Sequence, residues 1–231
     1  MNIICNTLRF MKNLTKITSQ IALLSLLSLS VTACSDNGGS GVVMEPASPE
    51  SAPAGEAVAA TGDYEAGVNA AFEGNYDIAF REFSIAAEEG LHLAQYNLAI
   101  LYFFGQGVEK DIDQAFKWTE AAANQGHVAA QFNLGSLYYT GDGTSVDRDK
   151  AVELYESAAN AGHGEAAFVL ATMYDEADHV DGDPVQAHAW ANLAISNDHG
   201  EASELIDSLE QEMTEQQLGE ARRIFARWQI Q

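Results

Sequence analysis

The chain has 231 residues, of which 34 are Asp or Glu and 11 are Lys or Arg, giving a formal charge of −23 at pH 7. A surface that negative repels nucleic acid and anionic lipid headgroups, and it excludes nucleic acid as a partner. The length suffices for one domain of ordinary size once an N-terminal leader is set aside.

The leader is residues 1–33. It carries Arg9, Lys12 and Lys16 and no acid, then the apolar run Ile21 to Val31, and it closes on Val31-Thr32-Ala33 just before Cys34. The run is too short to span a bilayer and has the small-residue exit of a secretory signal. With the cysteine directly behind it, the stretch resembles the lipobox of bacterial lipoproteins. That resemblance implies that Cys34 is acylated and becomes the mature N-terminus, so that the chain meets the membrane through its lipid. An ordinary signal peptide with an incidental cysteine is the alternative. Met11-Lys12-Asn13 is a more typical lipoprotein start than Met1. Ser35 after the cysteine, where Asp would signal retention, implies the outer membrane and a periplasm-facing domain. Cys5 falls in the leader, so the mature chain has no disulfide pair and depends on packing. All the acids lie beyond Cys34 while three basic residues precede it, which leaves the mature chain at −26.

Residues 34–62 hold three of the four prolines and no periodic apolar pattern. Such a composition cannot bury enough surface to fold, and it is read as a flexible tether.

From residue 63 onward the chain is self-similar. Residues 91–126 and 127–162 align without a gap at a period of 36: Ala94 on Ala130, Leu98 on Leu134, Tyr102 on Tyr138, Gly105 on Gly141, Gly107 on Gly143, Asp111 on Asp147 and Gly126 on Gly162. Each unit reads as two helices. Ala94, Leu98, Leu101 and Tyr102 stand at i, i+4, i+7 and i+8, and Ala115, Trp118 and Ala122 at i, i+3 and i+7, so each helix has one apolar face. A hairpin of that kind cannot bury its own face alone, which predicts stacked units in an all-α solenoid, an α/α superhelix. The units are 63–90, 91–126, 127–162 and 163–198, with a C-terminal cap over 199–231. Asn75, Asp111, Asp147 and Asp183 precede the second helices as N-caps, and Pro184 fits the first helical position. Thr214 to Gln217 reads as a capping box opening a last helix with Ala221, Phe225 and Trp228 on one face. The unit at 163–198 has Ala177-Asp178-His179 in place of G-x-G and Asp198 in place of the closing glycine, so its interhelix loop is expected to differ in shape.

The A-x-x-x-L-[GA]-x-[LM]-Y face, the G-x-G between helices, the aspartate cap and the AA-x-x-G-H close resemble the Sel1-like repeat family, a branch of the tetratricopeptide-like helical hairpins. The resemblance covers residues 63–228. It implies a protein–protein interaction scaffold that takes an extended or helical segment of another protein in its concave groove. A hydrolase or regulator acting on cell-wall material or β-lactams is the alternative, though the relatives so described are rich in paired cysteines that this chain lacks. A plain structural spacer is the third reading.

Nothing in the residues demands chemistry. No nucleophile with a neighbouring base can be named, there is no H-x-x-x-H, and no catalytic residue, metal ligand or cofactor is assigned. His127, His163 and His199 hold one position in successive units, on the order of 10 Å apart, whereas zinc ligands sit about 2 Å from a shared ion, so they are read as structural. The acidic loop Asp175 to Asp183 lacks the spacing and terminal Glu of a calcium loop. One feature exceeds what packing within a hairpin needs: a second apolar line of Tyr96, Ile100 and Phe103, echoed by Phe132 and Tyr139 and by Phe168. These residues either line the concave groove as partner contacts or pack against the neighbouring unit.

Overall fold

The computed structural model describes residues 62–230, so the leader, Cys34 and the tether lie outside the described residues. The described residues belong to one compact unit. Its described residues form ten helices and no strand: α1 (Tyr64–Phe72), α2 (Tyr76–Glu88), α3 (His92–Phe104), α4 (Ile112–Asn124), α5 (Val128–Thr140), α6 (Arg148–Asn160), α7 (Gly164–Glu176), α8 (Pro184–Ser196), α9 (Ala202–Glu212) and α10 (Glu215–Trp228). Each helix packs chiefly on its neighbours in sequence, with α10 folding back onto α8. The first helix of an inner unit is therefore held between its own second helix and the second helix of the unit before. This is the all-α solenoid of stacked hairpins expected from the 36-residue period.

Local chemistry sets the regular length. Seven consecutive helices, α2 to α8, are 13 residues each. Oδ1 of Asp111 accepts from the Gln114 amide at 3.0 Å and that of Asp147 from Lys150 at 3.0 Å, while Asp183 accepts from Val185 at 2.8 Å. Each of these bonds satisfies an amide that the first helical turn would leave bare. Asn75 corrects the series: it makes no side-chain cap bond, because its amide donates instead to Glu73 Oε2 at 2.9 Å across the shorter loop of the first unit. The capping box at Thr214 and Gln217 forms. Helix α9 starts only at Ala202, later than its register predicts, with no side-chain cap.

The loop of the third full unit also corrects expectation, since it keeps the shape of the others. Ala177 (φ 53) and His179 (φ 64) occupy the left-handed backbone that Gly141 (φ 81) and Gly143 (φ 71) occupy one unit earlier. The amides of Asp178 and Asp183 donate to Met173 and Tyr174 carbonyls, as those of Asp142 and Asp147 donate to Leu137 and Tyr138. A left-handed non-glycine residue costs roughly 1–2 kcal/mol, which the repeated bond pattern overrides.

Alanine columns let the backbones close. Ala79, Ala94, Ala130, Ala151, Ala166 and Ala187 are fully buried, with Leu98, Leu134 and Leu170 beside them. Successive units join through edge-to-face pairs, Tyr102 on Phe80 and Tyr138 on Phe116, both with ring centroids 5.4 Å apart. Within a hairpin, space is traded between partners. A Cβ on Gly67 would stand 2.7 Å from the Phe83 ring and one on Gly135 2.8 Å from the Tyr155 ring. At the equivalent places of the other hairpins the pairs are Ala99 with Thr119 and Ala171 with Ala191, all buried.

Candidate interaction surface

The aromatic line of the first helices is resolved into two parts by burial. Tyr96 and Phe132 are 7% and 2% exposed, and Phe168 is half-buried. Each ring is covered by the histidine that opens the next unit: Tyr96 by His127, Phe132 by His163 and Phe168 by His199, with centroids 4.4, 4.6 and 4.6 Å apart. Tyr96 and Phe132 thus pack against the neighbouring unit, and they do not stand on an open groove wall. The reason is the short step between units, which brings each histidine over the preceding ring.

Two of these histidines also cap helices. Nδ1 of His127 accepts from the Ala130 amide at 3.1 Å, and Nδ1 of His163 from Ala166 at 3.2 Å. An acceptor nitrogen must be unprotonated, and burial adds to this by pushing His163 down to about 4 and His127 down as well. His199 Nδ1 lies 3.3 Å from Glu165 Oε2, whose carboxyl burial pushes up to about 7. No group of three His, Cys, Asp or Glu side chains among the described residues is arranged to hold a metal ion.

A pH dependence follows. The folded pKa of His163 lies below its unfolded value of about 6.5, so between pH 6.5 and 4 the unfolded chain binds a proton that the folded chain refuses, and stability falls on acidification. Glu165 acts oppositely, retaining a proton up to about pH 7 that the unfolded chain releases near 4.5. His163→Asn keeps a good cap without the titration. Urea midpoints measured from pH 7.5 to 4 should therefore fall less steeply for this variant than for the parent; equal slopes would remove His163 from the account.

The remaining candidates are placed as follows. Tyr139 is half-buried; its hydroxyl donates to Asp178 in the next unit's loop, and the Arg148 guanidinium lies 5.0 Å from its ring centroid. Burial, with the Asp178 carboxylate, pushes that hydroxyl well above its ordinary range. Phe103 is half-buried against Phe104 at 5.1 Å, with Lys110 Nζ 5.4 Å from its ring. Ile100 is half-buried. In the acidic loop Asp183 is consumed by its cap bonds, Asp178 by Tyr139, and His179 pairs with Asp149 at 2.9 Å.

The more exposed face of the first helices shares Ile100 with the line singled out by sequence but otherwise runs one residue beside it, through Asn97 and Phe104 in place of Tyr96 and Phe103. In α3 it is Leu93, Asn97, Ile100 and Phe104, at i, i+4, i+7 and i+11; in α1 it is Glu65, Val68 and Phe72. Phe72, Leu93 and Phe104 are 54%, 37% and 39% exposed. Asn97 donates to the Tyr64 hydroxyl at 3.1 Å, tying the two helices side by side. In α5 and α7 the same positions are Ala129, Asn133, Ser136 and Thr140, then Glu165, Val169, Thr172 and Glu176, so beyond the first two units the face keeps only Ala129 and Val169 as apolar residues.

Fold and surface together define an α-solenoid repeat protein with an uncovered ridge of first helices. The Sel1 repeat profile matches residues 92–127, 128–163 and 164–199, three consecutive Sel1 repeats one residue out of phase with the units counted from the sequence. The solved structure of a Sel1 repeat protein from Oxalobacter formigenes is similar, at 28% identity and a TM-score of 0.60 over 62% of this chain and 59% of that one. Weaker likenesses are to c5321, a protective antigen of uropathogenic Escherichia coli with an SLR fold (29% identity, TM-score 0.43, 65% of this chain and 40% of that one), and to the cysteine-rich protein B of Helicobacter pylori (26%, 0.38, 39% and 68%). The chain spans about three fifths of the length of the Oxalobacter protein and two fifths of c5321. No curated protein matches the chain.

Proposed function

We propose that this protein is a non-catalytic scaffold of the bacterial envelope, anchored through lipid on Cys34 to the outer membrane and holding other proteins on its solenoid in the periplasm. Sel1 repeat proteins generally mediate protein–protein interaction. The observation that carries the reading for this chain is the ridge of α1 and α3, where Phe72, Leu93 and Phe104 stay exposed on one face, while the other exposed large apolar residues, Ile78, Leu91, Val146, Ile195 and Ile230, lie outside that face. Exposed apolar groups gathered on one face of an otherwise strongly charged protein mark a contact surface. The anchor is supported by Val31-Thr32-Ala33-Cys34 and by the acid-rich composition that keeps the domain off anionic headgroups.

The test is crosslinking in cells with mass spectrometry of what is captured, on the full chain and on Cys34→Ser. The parent should sediment with membranes and capture one or a few defined proteins, and Cys34→Ser should shift to the soluble fraction. Absence of any captured partner would favour the plain spacer and sink the scaffold; turnover of a β-lactam or of muropeptides by the purified protein would sink the non-catalytic part.

A further inference from the structure

The ridge carries more information than the presence of a contact surface, because its chemistry is lopsided. From Gly62 to Asp111 the chain has nine acids against Arg81 and Lys110. Arg81 is already bonded to Glu82 at 2.7 Å, and Lys110 lies over the Phe103 ring. The acids bracket the exposed apolar residues along the chain. Glu88 and Glu89, both exposed, end α2 just before Leu91 and Leu93; Glu65 shares the face of Val68 and Phe72; Glu73 follows Phe72; and Glu109 lies in the loop after Phe104. Glu73 accepts from Asn75. Glu65, Glu88, Glu89 and Glu109 form no ion pair with a described residue. An apolar stripe edged by uncompensated carboxylates, on a chain of charge −23, is complementary to a stripe edged by cations. Leu93 to Phe104 spans three turns, about 16 Å at 1.5 Å per residue, the length of one face of a short helix.

We propose that the uncovered face of α1 and α3 docks a cationic amphipathic helix of a partner protein. The leucine-like side chains of that helix rest on Phe72, Leu93, Ile100 and Phe104, and its lysines and arginines meet Glu65, Glu88, Glu89 and Glu109. Asn97, fixed by its bond to Tyr64, sets the floor between the two helices. The units beyond contribute little apolar area, since Ser136, Thr140 and Thr172 replace the aliphatic and aromatic residues there. A second copy of this chain is disfavoured as the occupant by its own charge. The inference rests on the scaffold reading but is decided by a separate measurement.

The probe is a 14-residue helical peptide with leucine on one face and lysine on the other, titrated by calorimetry into the full chain; a peptide of the same pattern with glutamate for lysine is the counterpart. The lysine peptide should bind, more weakly as salt rises, and the glutamate peptide should not. Leu93→Ser with Phe104→Ser should weaken binding at least tenfold. Glu88→Gln with Glu89→Gln, both at exposed positions that cannot harm the core, should weaken it severalfold and flatten the salt dependence, while Ser136→Ala with Thr172→Ala should leave it unchanged. The proposal falls if the lysine peptide binds every variant alike, if the glutamate peptide binds as well, or if sedimentation shows self-association that Leu93→Ser with Phe104→Ser abolishes. A partner captured in cells equally by the parent and by that double variant would overturn the assignment of the surface and leave the scaffold standing. Failure of the parent to capture anything would remove the scaffold reading, with the peptide titration still judging the surface.

Discussion

Phe132→Ala is expected to destabilise the protein by about 3–5 kcal/mol, the range for removing a fully buried aromatic ring. The ring is 2% exposed, sits 4.6 Å from His163 in a stacked pair and 5.6 Å from Tyr155. Truncation therefore opens a cavity at the joint between two units and removes the ring on which a helix cap rests. For a domain of this size each kcal/mol lowers the melting temperature by about 2–4 °C, so circular dichroism should show a large drop. Phe104→Ala, at 39% exposure, should change stability by only about 0.5 kcal/mol, as surface substitutions do. Equal, small effects at both positions would mean that Phe132 is a surface residue after all.

The second large effect concerns two sets of glycines that look alike in sequence. Gly143 has φ 71, and a Cβ there would meet the Ile112 carbonyl oxygen and the Phe116 Cβ at 2.8 Å. Gly107 is tighter, with its Cβ 2.2 Å from the Tyr76 carbonyl oxygen. Both loops lie directly on the start of the second helix in the preceding unit. Gly126, by contrast, has φ 82 and nothing within 4 Å. Gly126→Ala should cost about 1–2 kcal/mol from backbone strain alone. Gly143→Ala should cost about 2–5 kcal/mol, because overpacking adds to the strain. Urea midpoints will check this; indistinguishable values would mean that the loop does not bear on the neighbouring unit.

Much of the architecture was legible because its signals are local. Aspartates before helices, glycines after them and apolar residues at helical spacing each act within a few residues, and their return every 36 residues exposed the repeat. The uncovered ridge was harder to read. Periodicity tells which side chains share a face but not which neighbour lies over that face, so the spacing points to Phe103 while Phe104 is the more exposed ring. For Tyr96 and Phe132 the spacing leaves groove and packing open for a related reason: their covers, His127 and His163, come from the following unit. The signal was present in the constant spacing between each aromatic residue and the histidine of the next unit. Ala177 and His179 show a different limit. Their left-handed backbone runs against residue preference, and the carbonyls of Met173 and Tyr174 hold it in place. Asn75 had the right residue type for a cap but sits behind a shorter loop, where Glu73 is the nearer partner.

The pairing of Gly67 with Phe83, Gly135 with Tyr155, and the smaller residues between them has a bearing on how such a protein can change over generations. The three full hairpins share one 36-residue period, so duplication or deletion of one of these units preserves register at the joints. Exchange of a single helix between the hairpins of residues 91–126 and 127–162 does not: α5 as the hairpin partner of α4 would leave a hollow between Gly135 and Thr119, and α3 as the hairpin partner of α6 would drive Ala99 into the Tyr155 ring. Recombination involving the 127–162 hairpin is thus tolerated at the turns that flank it and rejected at the turn within it, which makes that two-helix hairpin an indivisible unit of inheritance, whereas α3 and α7, with Ala99 and Ala171 at the shared place, are interchangeable there.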